Sequence, residues 1–176
     1  VEKIDYSVYG TPIENTTEKF AKCLQRRFGI VPGITDRNYI TNSYHVPVFE
    51  EIDAFKKIDI EAELQPLSPG GAISYIETPN MENNVEAILS VIQYMYDKIM
   101  YCEVNTALSW CHECGGSGTI EMIRDENGKF IWQCKNCGNT DLSRMNVVRR
   151  VCGYLGNANY MAQGRMGDIH DRVYHL

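Results

Sequence analysis

Apolar positions along this chain follow two patterns, one typical of amphipathic helices and one typical of short strands. Apolar residues that recur every three to four positions predict helices at 15–28, 49–64 and 82–101. Runs enriched in β-branched and tyrosine residues predict strands at 38–48 and 72–77. In the first helix, Phe20, Leu24 and Phe28 form the expected inward stripe. Because helices and strands alternate, the pattern favours an α/β architecture, with too few strands to close a barrel alone.

The pattern changes near residue 105, where paired cysteines replace the helical stripes. Short strands are predicted at 119–124 and 129–133, on either side of Asn127-Gly128, a dipeptide typical of tight hairpin turns. Beyond residue 142 the sequence predicts mostly loop with brief regular pieces. We therefore expect a small hairpin domain between the α/β part and the C-terminal segment.

The cysteine pairs carry the clearest chemical signal. Cys111 and Cys114 form one C-x-x-C pair and Cys134 and Cys137 another, separated by residues 115–133. This spacing matches a four-cysteine zinc ribbon, in which two knuckles direct four thiolates to one tetrahedral ion. Disulfide pairing or chance spacing is the alternative. Four thiolates complete the coordination of zinc, so we expect a structural metal that does not activate water, with His112 a bystander.

Composition and charge limit the class of protein and the compartment in which we expect it. The chain has 176 residues, of which 44% are hydrophobic, enough for a real core, and its net charge of −6 argues against non-specific binding to a nucleic-acid polymer. No apolar run is long enough for a membrane helix. An odd number of cysteines, four of them in tight pairs, fits a reducing compartment. We expect a cytoplasmic piece of a larger protein.

Gly153 stands in the segment Arg-Val-Cys-Gly-Tyr-Leu-Gly, 150–156, shortly after the ribbon. A glycine Cα that loses one hydrogen leaves a radical stabilised by a donating amide nitrogen and an accepting carbonyl. Glycine has no side chain to oppose the planar form. The alternative is that Gly153 only provides a positive φ or a close backbone approach.

The cysteine ribbon, the 150–156 segment and the tail Arg-Val-Tyr-His-Leu at 172–176 together resemble the C-terminal part of the large subunit of anaerobic (class III) ribonucleoside-triphosphate reductases. The segments 8–12 and 39–46 resemble that family as well. The resemblance implies the C-terminal portion of a ten-stranded α/β barrel of the glycyl-radical-enzyme type. It divides the chain into part of the catalytic barrel (1–104), a zinc-ribbon domain (105–142), and a glycyl radical loop with its tail (143–176).

The same resemblance implies a chemistry. Gly153 would carry the radical, which a radical-SAM activating enzyme installs using S-adenosylmethionine and a 4Fe-4S cluster, and Zn²⁺ would bind the four cysteines. The radical would oxidise a finger-loop cysteine, whose thiyl starts the reduction of a ribonucleoside triphosphate, with formate as reductant and a homodimer as the assembly. This chain shows no counterpart of the finger-loop cysteine or of the allosteric domain, so we expect the fragment alone to be inactive.

The residues also suggest a substrate contact. Thr11, Thr16 and Thr17 surround the predicted start of the first helix, where free backbone amides could hold a triphosphate. An ordinary helix cap would use the same residues.

Two other functions stay open at this stage. One is a different glycyl-radical enzyme, such as a lyase, although lyases generally lack a four-cysteine ribbon before the radical segment. The other is a non-enzymatic zinc-ribbon interaction module, which the acidic charge and the absence of a basic face disfavour.

Overall fold

The computed structural model describes residues 3–10, 16–41, 44–81, 83–106, 108–150 and 155–176. These residues contain four α-helices and seven strands, in the order α1 Thr17–Phe28, α2 Ala54–Leu64, β1 Ser74–Thr78, α3 Val85–Lys98, β2 Cys102–Thr106, β3 Leu108–Cys111, β4 Ile120–Arg124, β5 Phe130–Cys134, β6 Met145–Arg150, β7 Leu155–Asn157 and α4 Gln163–Asp171. Single 3₁₀ turns lie at Gln65–Leu67, Leu142–Arg144 and Ala158–Tyr160. The chain is therefore a mixed α/β protein, as its sequence pattern predicts.

The first half is built around a β–α–β unit. β1 and β2 pair in parallel from Ser74↔Cys102 to Thr78↔Thr106, and α3 connects them. Helices α2 and α3 bury one core with the sheet, formed by Ala54, Ile58, Ile76, Val91 and Met95. α2 begins at Ala54 rather than at residue 49, because the Asp53 carboxylate caps it by accepting the amide of Lys56 at 3.0 Å.

The predicted strand at 38–48 is wrong for the residues described there, 38–41 and 44–48, which form turns and extended backbone without a ladder partner. Side chains satisfy this backbone instead. Thr17 Oγ1 accepts the Ile40 amide at 2.9 Å and donates to the Ile40 carbonyl at 2.8 Å. The Glu61 carboxylate accepts the Val46 amide at 2.9 Å. Pro47 has no amide to offer a ladder.

The predicted inward stripe of α1 is also wrong. Phe20 and Phe28 are 50% and 61% exposed, and the buried residues of α1 are Thr17 and Ala21. α1 packs on α4 through small side chains instead. An added Cβ at Gly164 of α4 would lie 2.5 Å from the Glu18 Cβ of α1. Glycine therefore allows the two helices to approach closely.

The second half has its own core, built from the hairpin, β3, β6 and the C-terminal segment. β4 and β5 form the predicted antiparallel hairpin, with Ile120↔Cys134 and Arg124↔Phe130 in register and Gly128 at φ 75° in the turn. β6 pairs with β3 on one side and β7 on the other. The core contains Cys111, Ile120, Phe130, Trp132, Cys134, Met145, Val147, Ala158 and Met166.

The C-terminal segment is more regular than predicted, since β6, β7 and α4 all follow residue 142. α4 contains two glycines and has little intrinsic tendency to be helical, so its packing against α1 stabilises it. The core also crosses residue 142, because β3 and β6 lie on either side of that position and share a sheet. No helix in the described ranges is long and apolar enough to cross a membrane.

Candidate functional site

Four cysteine sulfurs converge at one end of the second core. The Sγ atoms of Cys111, Cys114, Cys134 and Cys137 all lie within 4.8 Å of one another. Cys111 and Cys137 sulfurs are 3.7 Å apart, and Cys114 and Cys134 sulfurs 3.6 Å. These distances are too long for disulfides, which need about 2 Å. A tetrahedron with Zn–S bonds of about 2.3 Å has edges of about 3.8 Å, so the cluster fits zinc.

Two matching backbone knuckles create this convergence. The Cys111 amide donates to the Gly116 carbonyl, and the Cys134 amide to the Asn139 carbonyl, each at 2.9 Å and five residues along the chain. The tight turns use Gly115 at φ 70° and Gly138 at φ 72°. The first cysteine of each pair is fully buried and the second is exposed. The pairs therefore meet at the edge of the core, with one side of the centre facing solvent.

Neighbouring groups favour the thiolate form of the buried cysteines. The Thr119 hydroxyl lies 3.3 Å from the Cys134 sulfur and, with the amides of Cys137 and Asn136, lowers the pKa of Cys134 to about 6. Amides of the first knuckle, that of Cys114 foremost, lower the pKa of Cys111. Thiolates are the form that binds zinc, so the environment of Cys111 and Cys134 favours metal binding, whereas partial desolvation and the adjacent sulfurs raise the pKa of Cys114 and Cys137.

The second predicted site residue, Gly153, lies outside the described residues, as do its neighbours 151, 152 and 154. The structure describes both strands that border it. β6 ends at Arg150 and β7 starts at Leu155, and these two residues are paired in an antiparallel register with Arg149↔Gly156 and Val148↔Asn157 behind them. Segment 151–154 therefore joins the two strands of one hairpin, which we call the radical hairpin after the radical that the sequence predicts at Gly153.

The radical hairpin is tied to the cysteine centre through β3. β3 ends at Cys111 of the cluster, which pairs with Met145, while Leu108 pairs with Val148. The Arg149 guanidinium donates to the Leu108 and Val148 carbonyls at 2.9 Å and lies 5.3 Å from the Trp132 ring centre. Burial lowers the pKa of Arg149. β3 thus links the cysteine cluster, through Cys111, to β6, the strand that precedes Gly153 in the chain.

A cavity of about 450 Å³ lies between the radical hairpin and the α/β half. Its wall includes Glu77 and Asn105, next to the carboxyl ends of β1 and β2, together with Arg149, Trp132 and Arg172. Ligands of α/β proteins usually bind beyond the carboxyl ends of parallel strands. The geometry therefore offers a chamber with both polar and apolar walls, to which the hairpin contributes Arg149.

A network of charged side chains joins the radical hairpin to the parallel strands. Arg172 Nη1 donates to the Arg150 carbonyl at 2.8 Å and to Glu77 at 2.9 Å. Asn105 Nδ2 donates to both Glu77 oxygens, at 2.9 and 2.8 Å. No signal in the sequence indicated this network, because its members come from β1, β2, β6 and the tail.

The predicted substrate threonines have three different outcomes. Thr11 lies outside the described residues. Thr16 is exposed at the N-cap of α1, with no side-chain cap hydrogen bond. Thr17 is 2% exposed, and its hydroxyl is occupied by the backbone of Ile40. The structure thus leaves Thr16, of the two described, with a hydroxyl at the surface.

Fold and site together define a mixed α/β chain with a four-cysteine cluster, able to hold a metal ion, packed beside a hairpin whose connection contains Gly153. Comparison with known proteins gives the family. A family model described as anaerobic ribonucleoside-triphosphate reductase matches residues 1–175, and the chain belongs to that family.

Named relatives agree with this assignment. The chain is 40% identical over 173 residues to the anaerobic ribonucleoside-triphosphate reductase of Escherichia coli (strain K12), covering 97% of this chain and 24% of the relative. It is 41% identical over 172 residues to the protein of that name from Enterobacteria phage T4, covering 97% and 28%. The chain thus spans about a quarter of the length of these relatives.

A solved structure described as an anaerobic ribonucleotide reductase has the same fold over this region. The TM-score is 0.66 at 21% sequence identity, covering 97% of this chain and 25% of that one.

Proposed function

We propose that this chain is the C-terminal part of an oxygen-sensitive reductase that converts ribonucleoside triphosphates to deoxyribonucleoside triphosphates and stores its radical on Gly153. The observation that supports this most is the packing of the radical hairpin and the four-cysteine centre in one core. Family membership supports the reaction class. The pairing of β6 with β7 puts one strand of a hairpin before Gly153 in the chain and the other after it.

In this proposal Gly153 is a store of oxidising power. An activating enzyme with S-adenosylmethionine and a 4Fe-4S cluster removes one hydrogen atom from its Cα. The resulting radical takes a hydrogen atom from a cysteine thiol elsewhere in the catalytic subunit. That thiyl then abstracts the ribose 3′ hydrogen, the 2′-hydroxyl leaves as water, and formate supplies the two electrons as it is oxidised to carbon dioxide. The partner cysteine is not assigned to this chain, so the chain alone is inactive.

The four cysteines would hold Zn²⁺ in a structural role. Four thiolates would complete its coordination, which would leave no site for water or substrate. The metal would instead fix the ends of β3 and β5, which carry Cys111 and Cys134. Its contribution to function is the stability of the core on which the radical hairpin rests.

The domain division, the assembly and the location follow the family resemblance and remain proposals: barrel portion 1–104, zinc ribbon 105–142, radical loop and tail 143–176, a homodimer of the full-length subunit, and the cytoplasm. Family membership favours the reductase over a lyase or a non-enzymatic ribbon module.

The substrate contact is proposed at the start of α1. Thr16 and Thr11 would meet the triphosphate, while Thr17 would hold the adjoining segment through Ile40. Thr16→Val in the full-length enzyme should raise the KM for the nucleotide and leave the zinc content unchanged. An unchanged KM would remove Thr16 from the substrate site.

Anaerobic activation of the full-length protein tests the central proposal. We expect a doublet electron paramagnetic resonance signal, formate-dependent deoxynucleotide formation, and cleavage of the chain at Gly153 on exposure to air. Gly153→Ala should abolish all three. Gly156→Ala is the matched control, because it changes the other glycine of the motif and should keep the doublet.

A doublet that persists in Gly153→Ala would refute the assignment of the radical. A doublet without deoxynucleotide formation would instead favour a different glycyl-radical reaction.

A further inference from the structure

We infer that Arg172 is a positioning residue that holds the base of the radical hairpin against the two parallel strands. This inference rests on the proposed function. It concerns the residues that place Gly153, and we call the group formed by Glu77, Asn105, Arg150, Asp168 and Arg172 the stem clamp.

All three guanidinium nitrogens of Arg172 donate hydrogen bonds within the stem clamp. Nε and Nη2 donate to Asp168 Oδ1 at 3.0 and 2.8 Å, and Nη1 donates to Glu77 and to the Arg150 carbonyl. A planar fork of donors can serve these acceptors together, which a lysine ammonium cannot do in the same geometry. Charged hydrogen bonds of this kind are stronger than neutral ones. The Arg150 carbonyl is therefore held by a cation that two carboxylates fix in place.

The Arg150 side chain is held on the same strands. Its Nη1 forms an ion pair with Glu103 of β2, and its guanidinium lies 5.3 Å from the Tyr75 ring centre of β1. Asn105 approaches the Arg150 carbonyl at 3.5 Å. Both the backbone and the side chain of the last described residue before Gly153 thus contact β1 or β2, directly or through Arg172.

The tail that carries Arg172 is itself well anchored. α4 ends one residue earlier, and Asp168 lies one helical turn before Arg172 with 2% of its surface exposed. Beyond Arg172, the His175 amide donates to the Glu77 carbonyl and the Glu77 amide donates to His175 Nδ1, both at 2.9 Å. Because hydrogen bonds hold the chain on both sides of Arg172, the backbone from which its side chain extends is fixed in place.

The position of the clamp matters because hydrogen-atom transfer depends steeply on distance. Gly153 is three positions after Arg150 in the chain, and an extended chain of that length reaches at most about 11 Å. Because the connecting peptide is this short, we expect movement at Arg150 to displace the radical carbon. A misplacement of about 1 Å can reduce a rate by about a hundredfold. Loosening the clamp should slow radical transfer without removing the radical.

Arg172→Gln in the full-length enzyme tests this prediction. The variant and wild type are activated anaerobically, spins per chain are counted by electron paramagnetic resonance, and deoxynucleotide formation is expressed per spin. We expect a fall of about tenfold or more in turnover per spin, with zinc per chain unchanged. Arg172→Lys should restore part of it. Arg124→Gln, which removes an exposed arginine of the β4–β5 hairpin, is the matched control and should keep wild-type turnover per spin.

Several outcomes would overturn the inference. Turnover per spin in Arg172→Gln within twofold of the Arg124→Gln value would remove the positioning role and leave the proposed function intact. If Arg172→Gln loses its zinc, Asn105→Ala is the second test of the clamp. It removes a clamp contact but keeps the pair of Arg172 and Asp168. Unchanged turnover per spin in Asn105→Ala would then refute the clamp. A doublet that survives Gly153→Ala removes the proposed function and the clamp with it.

Discussion

The buried carboxylate of Glu61 gives a prediction whose size follows from the structure. Glu61 is fully buried on α2, and its oxygens accept Lys57 Nζ at 2.5 Å, the Val46 amide at 2.9 Å and His45 Nδ1 at 3.3 Å. Lys57 is itself only 6% exposed. Replacing Glu61 by Gln leaves this lysine charge buried without its counter-ion.

Two independent magnitudes give the free energy of unfolding that Glu61→Gln should lose. Breaking a buried ion pair by removing one partner costs about 3–5 kcal/mol. Independently, burial alone would raise the pKa of Glu61, but the His45 hydrogen bond and the Lys57 charge lower it from 4.5 to about 2. That shift corresponds to roughly 3 kcal/mol of stability, present above pH 4.5 and lost as the pH falls towards 2. Glu61→Gln should therefore lower the melting temperature by roughly 6–20 °C at pH 7.

Thermal and urea unfolding at pH 7, followed by circular dichroism and tryptophan fluorescence, measure the melting temperature and the free energy of unfolding. Glu63→Gln is the matched control, since Glu63 lies two residues along the same helix but is exposed, and it should change stability by less than about 0.5 kcal/mol. Adding Lys57→Met to Glu61→Gln should recover part of the loss, because it removes the unpaired charge. A difference below about 1 kcal/mol between the two glutamine variants would show that solvent reaches Lys57 and would refute the reasoning.

Three further predictions concern the metal centre, the tail and α4. Cys134→Ser should reduce zinc from about one ion per chain to nearly none, whereas Cys23→Ser, at an exposed position, should keep it; full zinc in the first variant would contradict the site. Burial lowers the pKa of His175 from 6.5 to about 4, so stability should be complete above pH 6.5 and fall by roughly 3 kcal/mol towards pH 4. The urea midpoint of His175→Gln should vary less with pH than that of the wild type. An equal pH dependence of the two midpoints would contradict the lowered pKa of His175. Gly164→Ala should destabilise by about 1–3 kcal/mol, since the contact with Glu18 outweighs the gain of about 1 kcal/mol in helix propensity; a higher melting temperature would contradict it.

Local signals explain what the sequence could predict. Residues close together in the chain determine the hairpin turn at Asn127-Gly128 and the tight turns of the two cysteine knuckles. The four-cysteine cluster could therefore be predicted from the cysteine spacing alone. Helices with continuous apolar periodicity were found too, although their ends depended on caps such as Asp53.

Features determined by distant residues could not be predicted. Thr17 captures the backbone of Ile40 from 23 residues away, which turns an apparent strand into irregular structure. α4 looks unfavourable as a helix until α1 provides the surface that its glycines fit. The contact between Arg172 and Glu77 spans 95 residues and involves residue types that are ordinary at any protein surface.

The pairing of β3 with β6 has a practical consequence for the study of the intact enzyme. The strand that ends at Cys111 is also the strand against which β6 is aligned, so under the proposed function incomplete metallation would disturb the register of β6, the strand that precedes Gly153. Preparations with different zinc occupancy would then yield different spin counts from identical sequences. Metal analysis of each batch therefore belongs beside every comparison of radical yield between variants.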